Sequence, residues 1–183
     1  MSLRNSATRF GAVSQFLHWL IVALLIVQFT LGWSAADLPL GLHKLNVLAR
    51  HKSFGMTILM LAVLRLLWRL ANPVPALPAT LRAYERSLAR VTHALLYLFL
   101  FAMPVTGWLM SSAANYPVSW FHQFTWPNLI APDKQLVDGL KEVHEALAVA
   151  LIVTVGLHVL AALRHHFVLK DDTLKRMLPF TRR

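Results

Sequence analysis

The chain reads as an all-α integral membrane protein, a four-helix bundle, and three observations lead there. Hydrophobic residues make up 57% of it and charged residues only 14%, with a mean hydropathy of +0.54, too apolar for an ordinary soluble domain. Four apolar runs, at about 16–36, 53–70, 93–113 and 143–163, each approach the roughly 20 residues that a helix needs to cross a hydrocarbon core. The links between them carry proline, aromatic and charged residues. All 183 residues are expected to form one domain, 1–183.

The first run follows Arg4 and Arg9 and closes on Ser34-Ala35-Ala36, a pattern shared with secretory signal peptides. It is longer than a usual signal core and carries His18, so it is expected as a retained anchor with no signal-peptide removal. The second run stops at Asn72-Pro73-Val74-Pro75 and Pro78, where proline cannot continue a helix. The third begins at His93. From about Ala114 to Glu142 a longer link holds Trp120, Trp126, Pro117, Pro127 and Pro132, which suits a loop or short helix lying in the membrane interface. The fourth run contains His144 and His158.

A net charge of +10 raises the question of nucleic acid, but Lys and Arg cluster beside the apolar runs, where membrane topology accounts for them. No nucleic-acid partner is expected. On one side of a four-span chain lie Arg4, Arg9, Arg65, Arg69, Arg82, Arg86, Arg90, Arg164, Lys170, Lys175, Arg176, Arg182 and Arg183; on the other, Lys44, Arg50, Lys52, Lys134 and Lys141. Thirteen against five predicts both termini in the cytoplasm.

Histidines carry the chemistry. His144 and His158 are fourteen residues apart, close to four helical turns, so both project on nearly one face about 21 Å apart. Ionisable side chains at membrane depth are costly and mark cofactors or ion paths. The spacing leaves room for two haems. At the external level His51 faces His144 as a bis-histidine pair, with His43 farther out in the first link. At the cytoplasmic level His158 has two possible partners, His18 and His93. With no cysteine in the chain, disulfides, thiolate-bound clusters and covalent c-type attachment are excluded.

Spacing adds to this two-storey arrangement. Gly32 lies fourteen residues beyond His18 and Arg65 fourteen beyond His51. Gly32 would open a surface at the outer level, and Gly55 would make space beside His51. Arg65 would bring a guanidinium near the propionates of the inner haem.

The chain resembles the bacterial cytochrome b561 family of small di-haem membrane proteins over nearly its whole length. The likeness rests on Phe16-Leu17-His18-Trp19-Leu20, His51-Lys52-Ser53-Phe54-Gly55, Leu64-Arg65-Leu66-Leu67-Trp68-Arg69-Leu70 and Thr92-His93-Ala94-Leu95-Leu96-Tyr97. It continues through Met103-Pro104-Val105-Thr106-Gly107, Val143-His144-Glu145-Ala146-Leu147-Ala148, Gly156-Leu157-His158 and His165-His166-Phe167 with the tail from Lys170 to Met177. The resemblance implies two non-covalent haem b groups, with ligands at positions matching His18 with His158 and His51 with His144. It implies a bacterial inner membrane location and one-electron transfer across that membrane to ubiquinone.

His93 and His165 are expected at the quinone pocket, His165 ahead of its neighbour His166. Some family members look like superoxide oxidases, which take electrons from superoxide at the outer face. Lys44, Arg50 and Lys52 around His51 would steer such an anion, although Asp133, Asp138 and Glu142 make the outer surface mixed in sign. Superoxide or another periplasmic donor is therefore the expected electron source. The rival readings are a cytochrome b conduit subunit of a dehydrogenase or hydrogenase, and a non-haem, histidine-lined transporter.

Overall fold

A computed structural model describes residues 2–78 and 81–179; Arg182 and Arg183, counted above on the cytoplasmic side, lie outside the described residues. Four helices, α1 (Ala12–Asp37), α2 (Leu42–Leu70), α3 (Ala83–Ala113) and α4 (Lys134–Phe167), are long and apolar enough to span a membrane. Four alternating passes leave the N-terminal segment, the α2–α3 link and the C-terminal segment at one end, the terminal end. The α1–α2 and α3–α4 links share the opposite end.

Each helix outruns its apolar stretch, because backbone hydrogen bonding continues into polar sequence. Asp133 accepts the Gln135 N–H at 2.9 Å and so starts α4 well before Val143. The Glu85 carboxylate accepts the Arg82 N–H at 3.0 Å and starts α3 before His93. α2 begins at Leu42, which moves His43 and Lys44 from the expected link into its first turn and sets His51 well inside the helix.

The expected loop or short interfacial helix between α3 and α4 contains instead a small antiparallel hairpin, β1 (Ser119–Trp120) with β2 (Phe124–Thr125), pairing Ser119 with Thr125 and Trp120 with Phe124. Its tip holds Phe121 at φ 46° and His122 at φ 61°, left-handed conformations that side-chain docking must sustain. The Trp120 indole donates to Thr57 Oγ1 at 3.0 Å, and the Phe121 N–H donates to the buried Ser53 hydroxyl at 3.0 Å. The hairpin is thereby fixed to α2 next to His51.

α1 packs along α2, α3 along α4, and α2 against α3, whereas no Cα of α4 comes within 8 Å of α1 or α2 among the described residues. α4 therefore faces those two helices through side chains. Ile21, Ile58, Ala62 and Leu100 form the small core, packed by Leu24, Leu25, Leu61 and Phe101. Exposed Val149, Ile152, Val153, Leu157 and Leu160 on α4 form the surface a lipid tail meets.

At the terminal end the C-terminal segment folds back over α1. Gln15 donates its amide to the Arg176 carbonyl at 3.1 Å, the Trp19 indole to the Met177 carbonyl at 2.9 Å, and Arg176 its guanidinium to the Ala76 carbonyl at 2.7 Å. His165 Nδ1 lies 2.6 Å from Asp171 Oδ2, and the Thr173 N–H donates to Asp171 Oδ1 at 2.8 Å. Partial burial would raise the Asp171 pKa, but the hydrogen bonds from Thr173 and His165 outweigh it and hold the carboxyl below its ordinary value. A depressed carboxylate stabilises the fold above its unfolded pKa of about 4 and loses that contribution as pH falls through the lower folded value. Asp171→Ala is expected to speed amide exchange at residues 171–179 several-fold while the helix interiors keep their protection, as read by hydrogen exchange.

Candidate functional site

Two pairs of imidazoles meet across the side-chain contact between α4 and its neighbours. His158 of α4 faces His18 of α1 with ring centroids 6.3 Å apart and ring planes at 81°. His144 of α4 faces His51 of α2, again at 6.3 Å, with planes at 73°. A metal ion held between two opposed imidazoles, with bonds of about 2 Å and about 1 Å from nitrogen to ring centre, needs a centroid spacing of about 6 Å. Both pairs meet that requirement, on levels fourteen residues apart along α4.

His93 of α3 stands closer to His158, at 5.4 Å, shorter than the opposed arrangement requires. Its Nδ1 lies 2.7 Å from the Ala89 carbonyl oxygen of its own helix, so the ring is already anchored. The structure therefore gathers His18, His93 and His158 at the terminal end but spaces His18 with His158 as it spaces His51 with His144. Among the described residues no group of three or more His, Asp, Glu or Cys side chains is arranged to hold a metal. Two-handed imidazole sites suit a planar cofactor that fills the remaining coordination positions itself, as haem does.

Small residues make the room these rings need. A Cβ on Gly32 would lie 3.3 Å from His51 Cε1, and one on Gly107 would lie 3.2 Å from His144 Cε1. A Cβ on Gly55 would meet the Gln28 amide nitrogen at 3.2 Å. That amide in turn lies 3.1 Å from His51 Nε2. Across the pair, His144 Nδ1 lies 3.0 Å from the Thr106 hydroxyl. Sequence reading singled out neither Gln28 nor Thr106. Gly107 was within its reach, since it lies fourteen residues beyond His93, as Gly32 does beyond His18.

Arg65 reaches into the terminal-end site. Its guanidinium donates to the Ser14 carbonyl at 3.1 Å and is close enough to His18, His93 and His158 to interact electrostatically with all three. It lines a small cavity with Arg69, Trp68 and Tyr97, and Arg69 sits over the Tyr97 ring at 5.8 Å. At the opposite end the Lys52 ammonium donates to the Tyr116 carbonyl at 3.1 Å and lies over the Tyr116 ring at 5.6 Å; a neutral partner leaves its charge uncompensated. Arg50 is exposed. His165 is engaged with Asp171 in the tail fold, apart from the histidine pairs.

Known proteins resemble the chain over nearly its whole length. The family model described as prokaryotic cytochrome b561 matches residues 9–180. The chain is 38% identical over 181 residues to cytochrome b561 homolog 2 of Escherichia coli K12, covering 97% of this chain and 95% of that one. It is 34% identical over 168 residues to the probable superoxide oxidase CybB of Yersinia pestis, covering 89% and 92%. To cytochrome b561 homolog 1 of Escherichia coli K12 it is 25% identical over 173 residues, covering 93% and 97%.

Because each glycine leaves one imidazole its place, a branched side chain there should act on one pair alone. Gly32→Val and Gly107→Val are each expected to displace the ring they face and lower the b-haem absorbance of purified protein by up to half, whereas Gly139→Val, where a Cβ meets nothing within 4 Å, should leave it unchanged.

Proposed function

The chain belongs to the prokaryotic cytochrome b561 family of membrane electron-transfer proteins that bind b-type haem, and from that premise we propose that it is a di-haem superoxide:ubiquinone oxidoreductase of the bacterial inner membrane. The observation that carries this reading is the repeated 6.3 Å imidazole spacing at two levels of α4. His51 and His144 would hold the outer haem, and His18 and His158 the inner one. Arg65, beside the inner pair, is the partner for its propionates. Bound there, b-type haem supplies reversible one-electron chemistry.

The protein's own contribution is position, burial and charge. α4 supplies one ligand at each level, so a single rigid element fixes the separation between levels. Lys44, Arg50 and Lys52 give the rim beside His51 a positive field that favours a small anion, and the field of Lys52 is held in place by Tyr116. Likeness to the Yersinia pestis relative, by its name a probable superoxide oxidase, supports superoxide as that anion. The overall reaction balances when two superoxide anions each lose one electron to become dioxygen and one ubiquinone takes both electrons and two protons to become ubiquinol.

The excess of Lys and Arg at the terminal end supports a cytoplasmic location for it. The quinone belongs there, near His93 and the inner pair, with His165 on the tail side. His93 presents an imidazole next to the inner ligand, suited to hydrogen-bonding a quinone oxygen or passing it a proton.

His51→Ala and His144→Ala are expected to remove the same spectral component, and His18→Ala and His158→Ala the other, each lowering the haem-to-protein ratio from about two to about one. In wild-type protein a superoxide pulse should reduce the haem absorbance within mixing time and added ubiquinone should reoxidise it. Haems that ignore superoxide would instead favour a conduit subunit fed by a partner dehydrogenase or hydrogenase.

A further inference from the structure

The outer histidine pair is held unequally, and the difference identifies a positioning residue. On α3, the Thr106 hydroxyl donates its one proton to the Met103 carbonyl at 2.9 Å. The same oxygen lies 3.0 Å from His144 Nδ1. With its proton committed to the carbonyl, the oxygen acts toward His144 as an acceptor only. The arrangement is satisfied by an imidazole that carries its proton on Nδ1, where the Met103 backbone also interacts with the ring, and this leaves Nε2 unprotonated with a lone pair available for a metal. Gly107, the next residue, keeps that face of α3 open, since a Cβ there would stand 3.2 Å from His144 Cε1 and 3.6 Å from Nδ1. Hydrogen bond and steric gap together define one tautomer and one ring position.

His51 is held differently. Among the described residues no side chain hydrogen-bonds its buried Nδ1, and its ring meets Gln28, through the side-chain amide at Nε2 and through the backbone. We propose that Thr106 fixes the tautomer and orientation of His144 and, by accepting its Nδ1 proton, tunes the electron density that this ligand offers the outer haem. A histidine that donates to an acceptor is a more basic ligand. It favours the oxidised metal, so loss of the hydroxyl shifts the equilibrium toward the reduced form. The proposal rests on the assignment of His144 as a ligand.

The test is a redox titration of purified Thr106→Val, Thr106→Ser and His144→Ala proteins, following the spectral component that His144→Ala removes. The ferrous-to-ferric ratio of that component at fixed ambient potential should rise several-fold in Thr106→Val, approaching tenfold, which corresponds to about 59 mV for a one-electron couple. The other component should not move, and Thr106→Ser should restore the wild-type ratio. An unchanged ratio in Thr106→Val, or an equal shift in Thr106→Ser, overturns the role of Thr106. If Thr106→Val does not accumulate, Thr106→Ala compared with Thr106→Ser decides the question by the same criteria. Retention of both components in His144→Ala would overturn the ligand assignment itself, an outcome distinct from failure of the Thr106 proposal.

Discussion

Everything in this fold is arranged around the need to bring imidazoles from different helices to one separation at two heights. Backbone packing alone does not do it. α4 makes no close backbone approach to α1 or α2, yet its His144 and His158 each stand 6.3 Å from a partner on those helices. The long, nearly uninterrupted α4 sets the height of both pairs, because a helix fixes the rise between any two of its residues. α1 and α2 then need only present one histidine each at the matching depth, and they run antiparallel, so His18 falls at one end and His51 at the other.

The surroundings follow from the absence of water at that depth. Polar groups in a hydrocarbon core must find partners within the protein. Serine and threonine hydroxyls close back onto their own helices: Thr57 on Ser53, Ser112 on Trp108, and Thr154 on Ala150, at 2.7 to 2.9 Å. At the two ends the protein seals itself differently. The hairpin bonds to Ser53 and Thr57 beside the His51–His144 pair, while the C-terminal segment bonds to Gln15 and Trp19 beside the His18–His158 pair. Each seal sits within a turn or so of a histidine, where exclusion of water strengthens electrostatic control of a bound cofactor.

The sequence made the spans and the histidine levels legible because both depend on simple periodicity. An apolar run near the thickness of a bilayer has few alternatives, and fourteen-residue spacing is readable without knowing which helices touch. Depth alone left His18 and His93 as equal partners for His158; their ring distances to it, 6.3 and 5.4 Å, are not encoded in any spacing along the chain. Helix starts were less legible, since Leu42 and Lys134 begin their helices in polar sequence where hydropathy carries no signal. The hairpin was hidden for another reason: its tip uses Phe121 and His122 in place of the glycine or asparagine that announces such a turn. Thr106, Gln28 and Asp171 act through contacts made across 23 or more residues, or through a chain reversal, which no local pattern encodes.

The near-perpendicular ring planes, 81° in one pair and 73° in the other, offer the most direct view of whether these imidazoles are the axial ligands. Electron paramagnetic resonance of the oxidised wild-type protein, with haem quantified against protein, reads ligand type and relative ring orientation together. Two low-spin ferric haems per chain, both with the highly anisotropic signals that crossed imidazole planes produce, are the expected result. A high-spin signal, or fewer than two haems in fully loaded protein, would contradict the assignment of one haem to each pair.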